Sequence, residues 1–309
     1  MIEINKFREW LGNHLYFLPD TLLYKKLRGL PVIKTDIEDA QAIITGALHQ
    51  EIPVLIARIG GNELDFVYKY GLKGEEPNKY LMRKLKVTAG VFDIEKLYTK
   101  EYLKTEYLNS ISNIDVLVSW RKEERYFNLK SKPKVGLSDL ELFRSISPFT
   151  KELIGVILVV SPFSRTIQIQ IEKARQSKSG TTYKLFNLDK VEFVFVKPLQ
   201  THGYCNTEGV DTWKAALDFQ KEKIANMAFD IALLSCGSYG LPLGSYIKDN
   251  LGRKAIVVGG VLQLYFDIIG KRWENNTRVM KSLDQKSLVR PSLQEVPKNH
   301  SDIESSSYY

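Results

Sequence analysis

The chain has only two cysteines in 309 residues, Cys205 and Cys236. They are too few for a disulfide framework and lack metal-ligand spacing, so a reducing compartment is expected. No apolar run approaches the roughly 20 residues that cross a bilayer. The opening MIEINKFREWLGNH carries charges where a secretory signal needs its apolar core. Internal repeats and low-complexity linkers are absent as well. These absences point to a cytoplasmic protein, with peripheral contact at the inner face of a membrane left open.

What is present is ordinary in amount and uneven in sign. Hydrophobic residues make up 44% and charged residues 26%, as in a typical globular chain. The net charge of +8 favours anionic partners: nucleic acid, nucleotide phosphates or an acidic membrane surface. A generally lysine-rich background would give the same balance. The length allows one large α/β domain or two small ones.

Taken in order, residues 4–29 pattern as helix, with Phe7, Trp10, Leu11 and Leu15 on one face and Pro19 as a break. That stripe suits packing against the main body, and Lys25, Lys26 and Arg28 offer a short basic face to anionic lipid. Residues 1–35 are accordingly expected to form an N-terminal helical extension. Residues 36–300 form the main domain, and 301–309 a mobile tail. Asp36 is placed as the N-cap of a helix running to about Gln50. Short apolar runs bounded by turn formers predict strands at 53–58, 115–119, 154–160, 191–196, 231–234 and 255–258. Helices are expected at 63–70, 166–176, 211–226 and 239–250, and the span 79–150 is expected to be mostly helical. Alternation of this kind predicts an α/β fold: a Rossmann-like, mostly parallel sheet with helices on both faces.

Four predicted strand ends carry loops of similar character: RIGGNE, SPF, CGSYG and GGVLQ. If the strands are parallel, all four gather on one edge. There small residues let backbone amides approach a phosphate, and helix N-termini follow. A single glycine turn is routine; four at equivalent positions favour a phosphate-bearing ligand.

RIGGNE, SPF with the following TIQIQ, FDIALLSCGSYGLPLGSYIK and GRKAIVVGGVLQLYFDIIGKRW together resemble bacterial glycosyltransferases of the GT-D fold. The likeness spans roughly residues 50–300 and is densest from 229 to 273. The resemblance implies transfer of a sugar from a nucleotide-sugar to an acceptor hydroxyl. The setting would be surface-polysaccharide assembly such as capsule or O-antigen, and the acceptor a glycan, a lipid-linked glycan or a glycoprotein. It also implies an Asp-x-Glu motif for Mn²⁺ or Mg²⁺. Here Glu63 matches the second carboxylate, but Gly61 stands where the Asp is expected. A hard cation bridging a diphosphate usually takes one or two protein carboxylates. The site is thus weakened or the metal given up, and Arg58, Lys271 and Arg272 become candidates to balance the leaving diphosphate.

Glu63 and His202 are the acid–base candidates for deprotonating the acceptor hydroxyl. A carboxylate in a first helical turn also serves the helix dipole. Donor-binding candidates are Arg58, Gly60, Gly61, Ser161, Pro162, Phe163, Gly237, Tyr239, Gly259, Gly260, Gln263 and Arg272. Tyr239 is expected either to stack on base or ribose or to pack; Trp273 reads as a core anchor. Glu208 and Asp211 are further candidates for activating the acceptor, Asp211 equally as a helix cap. Asp267, where the resembling enzymes tend to have glycine, is given no role. Two other classes compete. An NAD(P)-dependent oxidoreductase needs G-x-G-x-x-G in the first βα turn, a spacing that RIGGNE and CGSYGLPLG both lack. A non-catalytic nucleic-acid binder would suit the charge, but the basic residues are dispersed and no RNP1 pattern occurs. No nucleic-acid partner is therefore expected.

Overall fold

The structure, a computed structural model, describes residues 36–202, 209–298, 300–302 and 306–309; the expected extension at 1–35 lies outside these. Seven strands form one sheet: β1 Leu55–Ala57, β2 Val116–Ser119, β3 Lys134–Gly136, β4 Gly155–Val160, β5 Val191–Val196, β6 Ile231–Leu234 and β7 Lys254–Val257. Their spatial order is β3-β2-β1-β7-β6-β4-β5, and every neighbouring pair is parallel. The expected Rossmann-like α/β class is what the chain adopts.

A sheet covered on both faces needs apolar side chains at successive positions, not alternate ones. That is why the strands read as continuous runs. In β6, Ala232 and Leu234 enter one core while Ile231 and Leu233 enter the other, and Leu55 and Ile56 of β1 divide the same way. Edge strand β5 has only one neighbour, and there Glu192 is exposed.

The first core layer holds α2 Gly61–Phe66, α3 Lys79–Lys84, α4 Leu97–Ser112, α7 Trp213–Ala225 and α8 Gly240–Asp249. Across the sheet lie α1 Ile37–Leu48, α5 Ser164–Ser177, α6 Gly180–Leu185 and α9 Leu262–Tyr265. Short helices α10 Lys271–Glu274 and α11 Thr277–Ser282 build a small third cluster around Trp273. Asp36 does cap α1, its carboxylate accepting from the Asp39 amide at 2.9 Å.

Several expectations need correction. The span 79–150 contains a second strand, β3, whose three residues follow Pro133 and are too few to show any periodicity. The cap of α7 is Thr212, accepting from the Ala215 amide at 3.1 Å, and not Asp211. In the segment expected as a mobile tail, residues 306–309 pack onto the loop after β7. Tyr308 lies on Gly260 and Gly270, and Tyr309 meets Phe163 edge-on at 5.9 Å.

The chain leaves β4 across the α5 face and β6 across the α8 face, although these strands are neighbours. Such a reversal opens a crevice at the carboxyl ends of the strands, where ligands of open α/β sheets bind.

Candidate functional site

Because the sheet is wholly parallel, every carboxyl end lies on one edge. Four adjacent strands, β1, β7, β6 and β4, bring Gly60, Gly259, Gly237 and Ser161 to that rim. Each corner is covered by a side chain of the protein itself, and the cover differs from corner to corner.

At the β1 corner Gly60 is the N-cap of α2, and Glu63 folds its carboxylate back over it. A Cβ on Gly60 would come within 2.2 Å of Glu63 Oε2, so glycine is required there by close approach. Glu63 is 6% exposed and sits at the positive end of its own helix. Gly61 leaves room for Arg121 and Trp120, since an added Cβ would meet Arg121 Nη1 at 2.9 Å. Arg121 is held by Asp65 at 2.6 Å and Glu123 at 3.1 Å. Arg58 lies over the Trp120 ring at 5.0 Å and against Gly259, and no carboxylate of the described residues pairs with it. A half-buried guanidinium between two glycine corners is a natural seat for a diphosphate.

At the β7 corner the Tyr308 ring occupies the space above Gly260. Arg272 donates to the Tyr308 hydroxyl at 3.0 Å and stacks beside Trp273. Gln263, expected at the surface or on a ligand, is 2% exposed and donates weakly to the Ile268 and Tyr308 carbonyls. Its Oε1 has no hydrogen-bond partner among the described residues.

At the β6 corner Gly237 has φ +59°, and the His202 imidazole fills the position of its missing side chain. Burial pushes the His202 pKa down to about 4, so the ring is neutral near pH 7 and a weaker base than a solvated imidazole. Tyr107 donates to the Ser238 carbonyl at 2.6 Å, and Trp213 Nε1 donates to the Ser238 hydroxyl at 2.8 Å. Tyr239 is fully buried, stacked on Trp213 at 5.4 Å and bonded to Thr201 at 2.9 Å. It is a core residue and is not placed to stack on a nucleotide. Burial pushes the Cys236 thiol up to about 12, which removes it as a nucleophile.

The β4 corner is closed. Ser161 is 2% exposed, its amide donating to Val196 and its hydroxyl accepting from the Phe163 amide at 3.2 Å. Pro162 completes the turn, and Phe163 is buried at the foot of α5. The first amides of α5, expected to meet a phosphate, donate instead to Glu295: Arg165 at 2.8 Å and Thr166 at 3.2 Å, with the Thr166 hydroxyl also bonded. Asp267 plays the same part for α6, accepting from the Thr181 and Thr182 amides at 2.8 and 3.0 Å. Its φ of +57° lies in the left-handed region that suits glycine, and here two amide bonds hold an aspartate in it. Neither acid was assigned a role from sequence, because the only signal is a carboxylate in an irregular stretch.

Glu63 and His202 sit on the corners of β1 and β6, with β7 between them. Two strand spacings separate these by roughly 10 Å. They do not form one acid–base pair; a substrate would have to reach each separately. Among the described residues no side chains are arranged to hold a divalent metal. Glu63 is turned onto Gly60, Asp65 is paired with Arg121, and no group of three His, Cys, Asp or Glu side chains converges among the described residues. Glu208 and Cys205 lie outside the described residues. Compared with family models, curated proteins and solved structures, the chain matches none.

Proposed function

We propose that the protein is a nucleotide-sugar-dependent glycosyltransferase whose donor diphosphate rests at the β1–β7 end of the rim. The observation that carries this reading is the convergence on one edge of four small-residue corners, with Arg58 between two of them and no carboxylate partner for it among the described residues. In that role Arg58, lying against Gly259, neutralises charge developing on the leaving diphosphate. Arg272 lies at the same corner and joins when Tyr308 is displaced. The neutral His202 imidazole accepts the proton of the attacking hydroxyl, and Glu63 orients the acceptor or the helix that carries Arg58's loop. Position at a common rim supplies proximity for both substrates. No step passes through a metal. The reading places the enzyme in bacterial surface-glycan assembly, in the cytoplasm.

The direct test is a calorimetric screen of UDP-, GDP- and CMP-sugars, with NAD and an oligonucleotide as controls. Binding of one nucleotide-sugar, followed by release of its nucleoside diphosphate on incubation with acceptor, is the expected result. Binding of NAD alone, or of the oligonucleotide alone, removes the reading. Glu63→Gln should then lower transfer at least about 100-fold with the melting temperature little changed. A matching loss of stability would reduce Glu63 to a helix cap.

A further inference from the structure

Large exposed apolar side chains are not spread evenly over the surface. Leu72, Tyr80, Leu97, Tyr98 and Tyr126 are each 46–65% exposed, and all lie between residues 72 and 126. Each stands in a chain segment with an exposed cation beside it: Leu72 with Lys73, Tyr80 with Lys79, Leu97 and Tyr98 with Lys96, Tyr126 with Arg125. Elsewhere the exposed Ile52, Ile154, Ile169 and Leu293 have no Lys or Arg within two residues along the chain, whereas Ile146 has Arg144 and Tyr183 has Lys184. The pairing is densest in this region.

The pieces are joined in space. Tyr68 stacks on Tyr126 at 4.7 Å with Lys73 over Tyr68 and Arg125 over Tyr126, which links 72–73 to 125–126. Lys100 of α4 pairs with Glu76 at 2.8 Å, and Lys100 and Lys104 flank the Tyr70 ring, which ties the turn at 67–76 to α4. Lys86 and Glu95 join the end of the α3 segment to the start of α4. Residues 69–104 hold nine basic and five acidic side chains, a net +4 of the chain's +8. Four of the cations are in ion pairs, whereas Lys69, Lys79, Arg83 and Lys96 have no such partner among the described residues.

We infer that this face docks on an anionic phospholipid surface. Leucine and tyrosine bodies enter the interfacial layer while adjacent lysines and arginines reach lipid phosphates, which is how amphipathic side chains divide at a bilayer. A soluble polyanion would use the cations and the tyrosine rings but has no use for exposed Leu72 and Leu97. The same segment reaches the rim, where the Gly90 carbonyl accepts from the Thr201 hydroxyl at 2.6 Å and Ala89 lies beside Gly237. The inference stands on the surface alone and is independent of sugar transfer.

The test is co-sedimentation of the full chain with phosphatidylcholine vesicles, with and without phosphatidylglycerol. Binding is expected only to the anionic vesicles and should weaken with salt. Leu72→Asp/Leu97→Asp and Lys79→Glu/Arg83→Glu should each lower the partition coefficient at least about tenfold. The control Ile146→Asp/Leu293→Asp, which alters two side chains 90% exposed outside the belt, should leave it unchanged. These side chains are at the surface, so unfolding temperatures should stay close to wild type. Failure to bind anionic vesicles overturns the inference, as does undiminished binding by both belt variants. Equal capture of the wild type and the leucine variant by soluble heparin, without vesicle binding, reassigns the face to a polyanion. Nucleotide-sugar affinity should be the same in all variants, so this test and that of the transfer reading fail separately.

Discussion

At the β4 end of the rim, Glu295 arrives from 130 residues away and takes the first amides of α5. At the β1–β7 end, Arg58 lies over Trp120 and Gly259 without a carboxylate partner among the described residues. Both ends have small residues, a strand end and a following helix. The difference is the sign of the covering group. A carboxylate on helix amides satisfies the same positive end that a phosphate would use, so the site is already occupied. A guanidinium over glycine leaves positive charge for an anion to meet. A glycine-rich corner is thus a ligand site only when the rest of the chain has not supplied its own anion. The opposite edge of the sheet sharpens the point. It holds a 520 Å³ cavity lined by residues such as Glu51, Asp230 and Arg253. Two of its charged groups are already used: Asp230 accepts from the Val156 amide at 2.7 Å, and Arg253 donates to the Met227 carbonyl at 2.8 Å.

The largest effect expected concerns the cover of the β6 corner. With its folded pKa near 4, His202 stays neutral while the unfolded chain takes up a proton below the ordinary value of 6.5. Its contribution is complete above about pH 6.5 and is lost as the pH falls towards 4. Urea unfolding of wild type and His202→Gln at pH 7 and pH 4.5 should show about 2 kcal/mol of extra acid loss in the wild type. Parallel curves would mean the imidazole is solvated. Next comes the closed end. Glu295→Ala leaves two amides and a hydroxyl unsatisfied and should destabilise by about 1.5 kcal/mol. Nucleotide affinity should stay unchanged, and a drop in it would move the ligand to the β4 corner. Smallest is the open end. Arg58→Ala should weaken nucleoside diphosphate binding about tenfold, or about 1.4 kcal/mol. Arg165→Ala removes an exposed cation of the same charge near Glu295 and should change affinity less than about twofold. Equal losses in both variants would erase the distinction between the ends.

Much of the fold was legible because its signals are local. Continuous apolar runs such as IALL and VILVV, short and bounded by turn formers, read as strands buried on both faces, and Asp36 capped α1 as placed. β3 was invisible because three residues carry no period. Among the candidate site residues, Gly60, Gly237 and Gly259 were placed at strand ends through the turn chemistry they impose. Tyr239 stayed open between stacking on a ligand and packing, and Gln263 was placed on a ligand or at the surface, because a polar tip at a loop looks alike whether it faces solvent or a buried hydroxyl. Only Trp213 stacked on one and Tyr308 lying beside the other decided the matter.

By itself the sequence determined an α/β sheet and the presence of small residues at four strand ends, since period and turn preference act within a few residues. Tertiary structure alone decided which of those corners stays electropositive. Glu295, His202, Arg58 and Tyr308 meet them from distant positions, and electrostatics depends on distance in space, not along the chain.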